Sequence, residues 1–293
     1  MAILVTGAAG FIGSATCKAL HQAGVAFIGT DKTTREQIVK CDLNDAHALR
    51  SLFASHSFES LIHLAAMLPG AASADPLQAA RVNVTSTVAL LENAISSGVR
   101  RFVFGSSSSV YGSAGLSAPI SEDVPAAPSD VYGAGKRLVE IMGENLRQQN
   151  KIEFVSLRIA TVVGAGARNT SSPWRSEIFE KLGSGTRQLI PMPYSTEDPL
   201  TIVHVGDVAR MLVLLARNKS VGSPVYNTPA KLTTAGEVKR LVESVDADME
   251  VQLSGRTRPL APLADGSKFA EEFGFEMQSL ESRLKETRNI NKR

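Results

Sequence analysis

The sequence predicts an α/β fold of the doubly wound kind, a parallel sheet covered by helices on both faces, followed by a small mixed α/β region. Three observations point there. Over the first 160 residues short apolar runs alternate with amphipathic stretches of helical period. A glycine-spaced turn follows the first apolar run directly. Beyond residue 160 the alternation loosens into a Gly/Ser/Thr/Pro-rich stretch and then short mixed elements. Composition permits such a fold: 293 residues, 43% hydrophobic and 20% charged, supply a sizeable core and exclude disorder as the overall state. With 31 basic against 29 acidic residues the formal charge is only +2, so bulk attraction to nucleic acid or to an anionic membrane is not expected.

The apolar alternation places strands at 2–6, 25–30, 38–42, 60–66, 101–107 and 153–160, with helices at 11–23, 45–55, 77–97 and 130–149. MAILV lacks a basic leader and breaks at Thr6-Gly7, which reads as a strand and not as a signal peptide. Gly24 and Gly98 follow the first and third helices, where a residue of positive φ closes the last turn at little cost. Later, 233–245 and 279–290 have helical spacing and 250–254 suits a short strand. The longest apolar run, MLVLLA at 211–216, is far shorter than the roughly 18 residues of a membrane span, and a cytoplasmic protein is the expectation. Cys17 and Cys41 stand apart without CxxC spacing, so neither a disulfide framework nor a zinc knuckle is expected.

The strand ILVTG runs into GAAGFIG, which puts Gly7, Gly10 and Gly13 in a GxxGxxG spacing at the opening of a helix. Such glycines let the backbone turn tightly and approach a pyrophosphate facing the helix N–H groups. Asp31 closes the second strand, where a carboxylate accepts hydrogen bonds from the adenosine ribose hydroxyls and repels a 2′-phosphate; the cofactor expected is therefore NAD. Asp42-Leu43 ends the third strand, suited to the adenine amino group and ring face, and equally to a helix cap. The fourth ends in HLAA, whose Ala65 and Ala66 leave room for a cofactor, or simply pack a strand end. Residues 1–160, with segments around 201–228 returning to them, form the expected NAD-binding domain of Rossmann type, and 161–293 the smaller substrate-binding region.

Tyr132 and Lys136 stand four apart in VYGAGKRLVE and share one face of a helix. An ammonium beside a phenol favours the phenolate, and a nicotinamide cation adds to that pull. FVFGSSSSVYG supplies hydroxyls at the carboxyl edge of the sheet; Ser107 would hold a substrate oxygen against Tyr132, while Ser106, Ser108 and Ser109 also suit a turn. His63 and His204 lie in apolar strand contexts and read as bonded structural histidines, with His21, His47 and His56 on solvent faces. Trp174 is expected to pack the later region onto the sheet. No spacing suggests a metal site.

TGAAGFIG, Asp31, HLAA, Asn83 in RVNVTST, FVFGSSSSVYG, YGAGK and LRIATVVG together resemble the extended short-chain dehydrogenase/reductase family, also called the NAD-dependent epimerase/dehydratase family. TIVHVGDVA at 201–209 and the carboxyl-terminal FGFEMQSLESRLKET resemble its tail. The resemblance implies an NAD site built from Gly7, Gly10, Phe11, Ile12, Gly13, Asp31, Asp42, Leu43, Leu64, Ala65, Ala66, Asn83, Tyr132 and Lys136, and a catalytic set of Ser107, Tyr132 and Lys136. It also implies a homodimer through helices 77–97 and 130–149, with Val88, Leu91, Leu138 and Ile141 at positions that could face a partner or the sheet.

Family 4,6-dehydratases carry an acid directly after the catalytic hydroxyl; Ser108 stands there, which disfavours dehydration. Nucleotide-sugar epimerases commonly have Asn in the LRxxN segment, where this chain has Thr161, which weakens the case for a UDP-sugar. Segment 164–200 is similar instead to members that oxidise small hydroxy acids, such as D-erythronate dehydrogenase, and more distantly to short-chain L-threonine dehydrogenases. Ser108, Thr161, Arg168, Asn169 and Arg175 are the candidate substrate contacts, the guanidinium forks suiting a carboxylate. The expected activity is NAD-dependent oxidation of a secondary alcohol on a small sugar or sugar acid. Alternatives are nucleotide-sugar 4-epimerisation through transiently reduced NAD, and an NAD-binding regulator without turnover.

Overall fold

A strand that is apolar on both faces must be covered on both, and the first run of the chain is. In the computed structural model, which describes residues 1–33, 37–113, 118–168, 172–256 and 260–292, Ile3, Leu4 and Val5 are all buried. They form β1 (Ala2–Thr6), from which α1 (Phe11–Gln22) leads to β2 (Phe27–Asp31) and β3 (Ile38–Lys40) on one side. Through α2 (Ala46–Ser55) the chain crosses to β4 (Phe58–His63) on the other side of β1. Next come α3 (Pro69–Ala74), α4 (Pro76–Ala80), a π-helical turn (Arg81–Thr85), α5 (Ser86–Ser96), β5 (Arg101–Ser107) and a 3-10 turn (Ser108–Tyr111). α6 (Val131–Gln148), β6 (Glu153–Ile159), β7 (Thr161–Val163), α7 (Trp174–Lys181), β8 (Gln188–Met192) and β9 (Pro199–His204) follow. The remainder is α8 (Val205–Arg217), β10 (Val225–Asn227), β11 (Lys231–Thr234), α9 (Ala235–Val245), β12 (Met249–Leu253), α10 (Ser267–Phe273) and α11 (Leu280–Asn291).

The main sheet runs β10-β6-β5-β4-β1-β2-β3 with every pairing parallel. Chain order reverses between β1 and β4, and a crevice opens at the carboxyl ends of strands beside such a switch. Two small sheets, β11-β9-β7 and β12-β8, complete the later region. Side-chain alternation sorts the main sheet into two cores. Ile3 and Val5 pack with Leu20 and with Met211, Leu212 and Leu215 of α8, while Leu4 packs with Leu49, Phe53, Leu90, Phe102 and Phe154 on the opposite face. Arg101, fully buried at the start of β5, ties the late α8 to the sheet. Its guanidinium donates to the carbonyls of Leu215 and Asn218, both at 2.6 Å, and to Glu153 at 2.9 Å, satisfying oxygens that a helix end leaves free.

The helix expected at 77–97 is found at 76–96, widened at the π turn, where Ser86 and Thr87 hydroxyls return to the carbonyls of Val82 and Asn83. The fourth strand is earlier than expected, at 58–63; its pairing with β1 closes on the bond from the Leu64 N–H to the Thr6 carbonyl at 3.1 Å. Gly24 and Gly98 end α1 and α5 at φ 64° and 71°. Trp174 corrects its expectation: it lies in the core of the later region, with Ile178, Val238 and Val242, its ring 6.1 Å from that of Tyr194, and not against the seven-stranded sheet. His56 is also not a solvent-face residue; half-buried, it stacks on Phe58 and bonds the Leu52 carbonyl. No helix among the described residues is long and apolar enough to cross a membrane.

Gly143 lets α6 close onto β6. A Cβ there would come within 2.3 Å of the Phe154 ring, which is fully buried and stacked 5.7 Å from Phe102. Gly143→Ala is expected to lower stability by about 1–3 kcal/mol despite the roughly 1 kcal/mol helix-propensity gain, read as the urea midpoint.

Candidate active site

The crevice floor is a bend that tolerates no side chains. Gly7 has φ 71°, and a Cβ on it would lie 2.6 Å from the Ala65 nitrogen; one on Gly13 would lie 2.0 Å from the Gly7 carbonyl oxygen. The Gly10 N–H donates to that same carbonyl at 2.9 Å. α1 therefore starts with Gly10 at its cap position, no capping side chain and no acid in the first turn, leaving positive N–H ends toward the crevice. The Asp31 carboxylate braces the bend from β2: one oxygen accepts from Ala9 N–H at 3.2 Å, the other from the Thr33 amide and hydroxyl at 3.1 Å. A cradle of bare backbone, a helix N-terminus and an acid with acceptor capacity left over fits a dinucleotide.

A buried relay holds the two strand ends of the crevice together. The Thr87 hydroxyl donates to the Asn83 carbonyl at 3.0 Å, so its oxygen accepts from His63 Nε2–H at 2.8 Å. That leaves His63 Nδ1 to accept from the Thr6 hydroxyl at 2.7 Å, whose oxygen in turn faces the Leu64 N–H at 3.3 Å. Burial pushes the His63 ring down to about 3, with the Lys136 charge adding to the effect, so it is a neutral strut. Asn83 is a strut as well: its amide accepts from Met67 N–H at 2.7 Å and donates to the Met67 carbonyl at 3.0 Å, holding the 64–67 turn.

Phe11, Ile12, Leu64, Ala65 and Ala66 are half-buried along the bend. Asp42 is exposed and closes a turn on Asn44, whereas the cap of α2 is Asp45; Leu43 is turned into the core. On the catalytic side, Asp130 caps α6 by accepting from Gly133 N–H at 2.7 Å, which sets Tyr132 in the first turn. Ser107 caps the 3-10 turn, accepting from the Ser109 amide at 3.2 Å and donating to the Ser109 hydroxyl at 3.1 Å. Ser109, expected only as a turn residue, thus orients the candidate hydroxyl. Lys136 Nζ donates to the Gly105 carbonyl at 2.6 Å and stands 5.7 Å from the centre of the Tyr132 ring.

The electrostatics correct one expectation. In the protein alone burial decides the sign: Tyr132 is pushed up to about 12, the Ser107 hydroxyl pulling it back and Asp130 adding to the rise. Lys136 is brought down to about 8 by the same burial, opposed by Glu140. Of the candidate substrate contacts, Ser108 and Thr161 are buried, Arg175 is half-buried and Arg168 is exposed, while Asn169 lies outside the described residues. His204, in its expected bonded role, caps α8 by accepting from Gly206 N–H at 3.1 Å. Among the described residues no group of three His, Cys, Asp or Glu could hold a metal.

A switch-point crevice of this shape, with a half-buried Ser107 beside the buried Tyr132 and Lys136, defines a nicotinamide-dinucleotide-dependent enzyme of Rossmann type. The model of the NAD dependent epimerase/dehydratase family matches residues 3–228, and the chain belongs to that family. It is 33% identical over 246 residues to a UDP-glucose 4-epimerase of Erwinia amylovora, covering 71% of this chain and 71% of that protein. The UDP-glucose 4-epimerase of Thermus thermophilus in complex with NAD superposes with TM-score 0.84 at 25% identity, covering 99% and 98% of the two chains. L-threonine 3-dehydrogenase from Trypanosoma brucei shares the fold, at TM-score 0.87 and 20% identity over 99% of this chain and 96% of that one. NAD is the cofactor.

The neutral His63 has a stability signature. Its folded pKa lies below the ordinary value, so its contribution is intact above pH about 6.5 and is lost as pH falls toward about 3, because the unfolded chain takes up the proton first. His204, held down to about 4 by burial, acts in the same sense. Replacing His63 by Gln is expected to shrink the loss of unfolding free energy between pH 7 and 5 by about 2 kcal/mol, measured by urea denaturation at both pH values. An unchanged pH dependence would contradict the neutral-strut assignment.

Proposed function

We propose that the protein oxidises a secondary alcohol on a small polyhydroxylated substrate, a sugar or sugar acid, to the ketone. One observation carries this reading: a buried phenol beside the Ser107 hydroxyl, one helical turn from a buried lysine, at the end of a dinucleotide crevice. NAD supplies the hydride acceptor and, while oxidised, a positive charge. Ser107, oriented by Ser109, holds the alcohol oxygen against Tyr132 Oη. The phenolate takes the hydroxyl proton as the carbon gives up its hydride. Lys136 and the oxidised cofactor together offset the burial that otherwise keeps the phenol protonated. The apolar wall of Phe104, 4.6 Å from Lys136 Nζ, excludes water and strengthens these charge effects.

Net oxidation is favoured by Thr161, buried where epimerases of the family commonly carry Asn, and by Ser108 in place of a dehydratase acid. Epimerisation, in which the ketone is re-reduced on its other face, is supported by the 33% identity to a UDP-glucose 4-epimerase. We place the substrate among residues 161–293, and the cofactor on 1–160 together with α8 and β10, which pack on α1 and pair with β6. A homodimer through α6 is supported by Val131, Leu138 and Ile141, which are 43%, 46% and 42% exposed; Leu91, at 3%, faces the sheet instead. We place the protein in the cytoplasm.

Absorbance at 340 nm across a panel of aldonates, uronates and nucleotide sugars is expected to show NADH formation with a sugar or sugar acid. Conversion of a UDP-sugar to its isomer without NADH would instead establish the epimerase reading. With the active substrate, Tyr132→Phe is expected to lower turnover by roughly two to four powers of ten while NAD affinity changes little. Full turnover in that variant would remove Tyr132 from its role.

A further inference from the structure

A cation buried as deeply as Lys136 needs a counter-charge, and its only hydrogen bond among those described goes to the neutral Gly105 carbonyl. Tyr132, Lys136 and Glu140 recur every four residues on α6 and lie on one face, all buried, with Glu140 fully so. No step of the proposed reaction uses Glu140, yet among the described residues its buried carboxylate accepts four hydrogen bonds. It accepts from Ser106 Oγ at 2.6 Å, from Arg158 Nε and Nη2 at 3.0 and 2.8 Å, and from Arg137 at 3.1 Å. Arg158 passes the connection on, donating to Tyr111 Oη at 2.8 Å, which donates to Asn227 Oδ1 at 2.8 Å. Asn227 Nδ2 then reaches the carbonyls of Ile120 and Asp265 at 3.2 and 2.9 Å.

We propose that Glu140 is a positioning residue for the reaction, the counter-ion that keeps Lys136 protonated, held at its distance and orientation by Ser106 and Arg158. The inference rests on the reading of Lys136 as the cation that supports Tyr132. The remaining groups around Lys136 do not substitute for Glu140. On α6, Tyr132 is a neutral phenol, Asp130 is spent on the helix cap, and Arg137, which also pairs with Glu144, brings a like charge. From β4, His63 is neutral; from β6, Arg158 is positive; from the 3-10 turn, Tyr111 is held protonated by burial. The helical segment 69–85 packed on α6 brings Asp75 and Arg81, both at the surface. Glu140 is accordingly the one charge that raises Lys136 against its burial.

The test reads Lys136 directly in the cofactor-free protein, by 13C NMR titration of its Cε in lysine-labelled protein, the signal assigned by its loss in Lys136→Met. In the natural protein the midpoint is expected near 8. In Glu140→Gln it is expected to fall by about one unit, and in Glu140→Asp to stay closer to the natural value. An unchanged midpoint in a folded Glu140→Gln variant overturns the proposal and leaves Glu140 a fold strut. Glu140→Gln strands the Arg158 charge, so should it not fold, Glu140→Gln/Arg158→Gln is read against Arg158→Gln alone, which cancels the loss of the Arg158 charge; a lower midpoint in the double variant is expected and equal midpoints again overturn the proposal. Because the titration needs neither cofactor nor turnover, its outcome is independent of whether Tyr132→Phe abolishes activity.

Discussion

The contact on which the rest depends is between two stretches of bare backbone. Gly13 packs so closely on the Gly7 carbonyl, and Gly7 on the Ala65 amide, that no Cβ fits at either glycine. That contact draws the start of α1 against the ends of β1 and β4 and leaves helix N–H groups directed into the switch-point crevice. Every later feature is placed relative to it. Asp31 braces the bend from one side, and the Thr6, His63 and Thr87 relay pins it from the other. A methyl group at either glycine would separate these strand ends, and with them the cofactor from the phenol.

Proton chemistry at Tyr132 is a contest of desolvation against charge. Burial is the largest influence on both and drives the phenol and the lysine toward their neutral forms, leaving Tyr132 at about 12 and, with Glu140 pulling the other way, Lys136 at about 8. The protein counters with a fixed arrangement behind the site: Glu140, Arg158 and Tyr111 carry charge and hydrogen bonding from the catalytic face of α6 to the segments at 120 and 265. Low dielectric strengthens each member, and the same low dielectric makes each indispensable to the others.

Much of this arrangement is legible in the sequence. Periodicity locates the six strands of the first 160 residues to within a few positions, since parallel strands buried on both faces are nearly continuous apolar runs. Spacing alone brings Gly7, Gly10, Gly13 and Asp31 to one crevice and Tyr132 with Lys136 to one helix face. The partners of Glu140 and His63 are not legible, because Ser106, Arg158 and Thr87 are distant from them in sequence and ordinary in type; it is β5 lying beside β6, with Ser106 opposite Arg158, that brings the first two to Glu140. The sign of the Tyr132 shift escapes sequence reading because spacing reports the lysine but not the burial around it. Trp174 is misplaced by sequence reading since its apolar partners, Val238 and Val242, come from a helix some sixty residues on.

For the bend and the phenol to act together, one dinucleotide must span the crevice from the first to the second. A crystal structure of the protein with NAD tests this most directly. The diphosphate is expected within about 3 Å of the N–H groups that open α1, with the nicotinamide ring beside Tyr132 Oη. A nicotinamide ring lying away from Tyr132, or NAD bound elsewhere with the bend left to solvent, would contradict it.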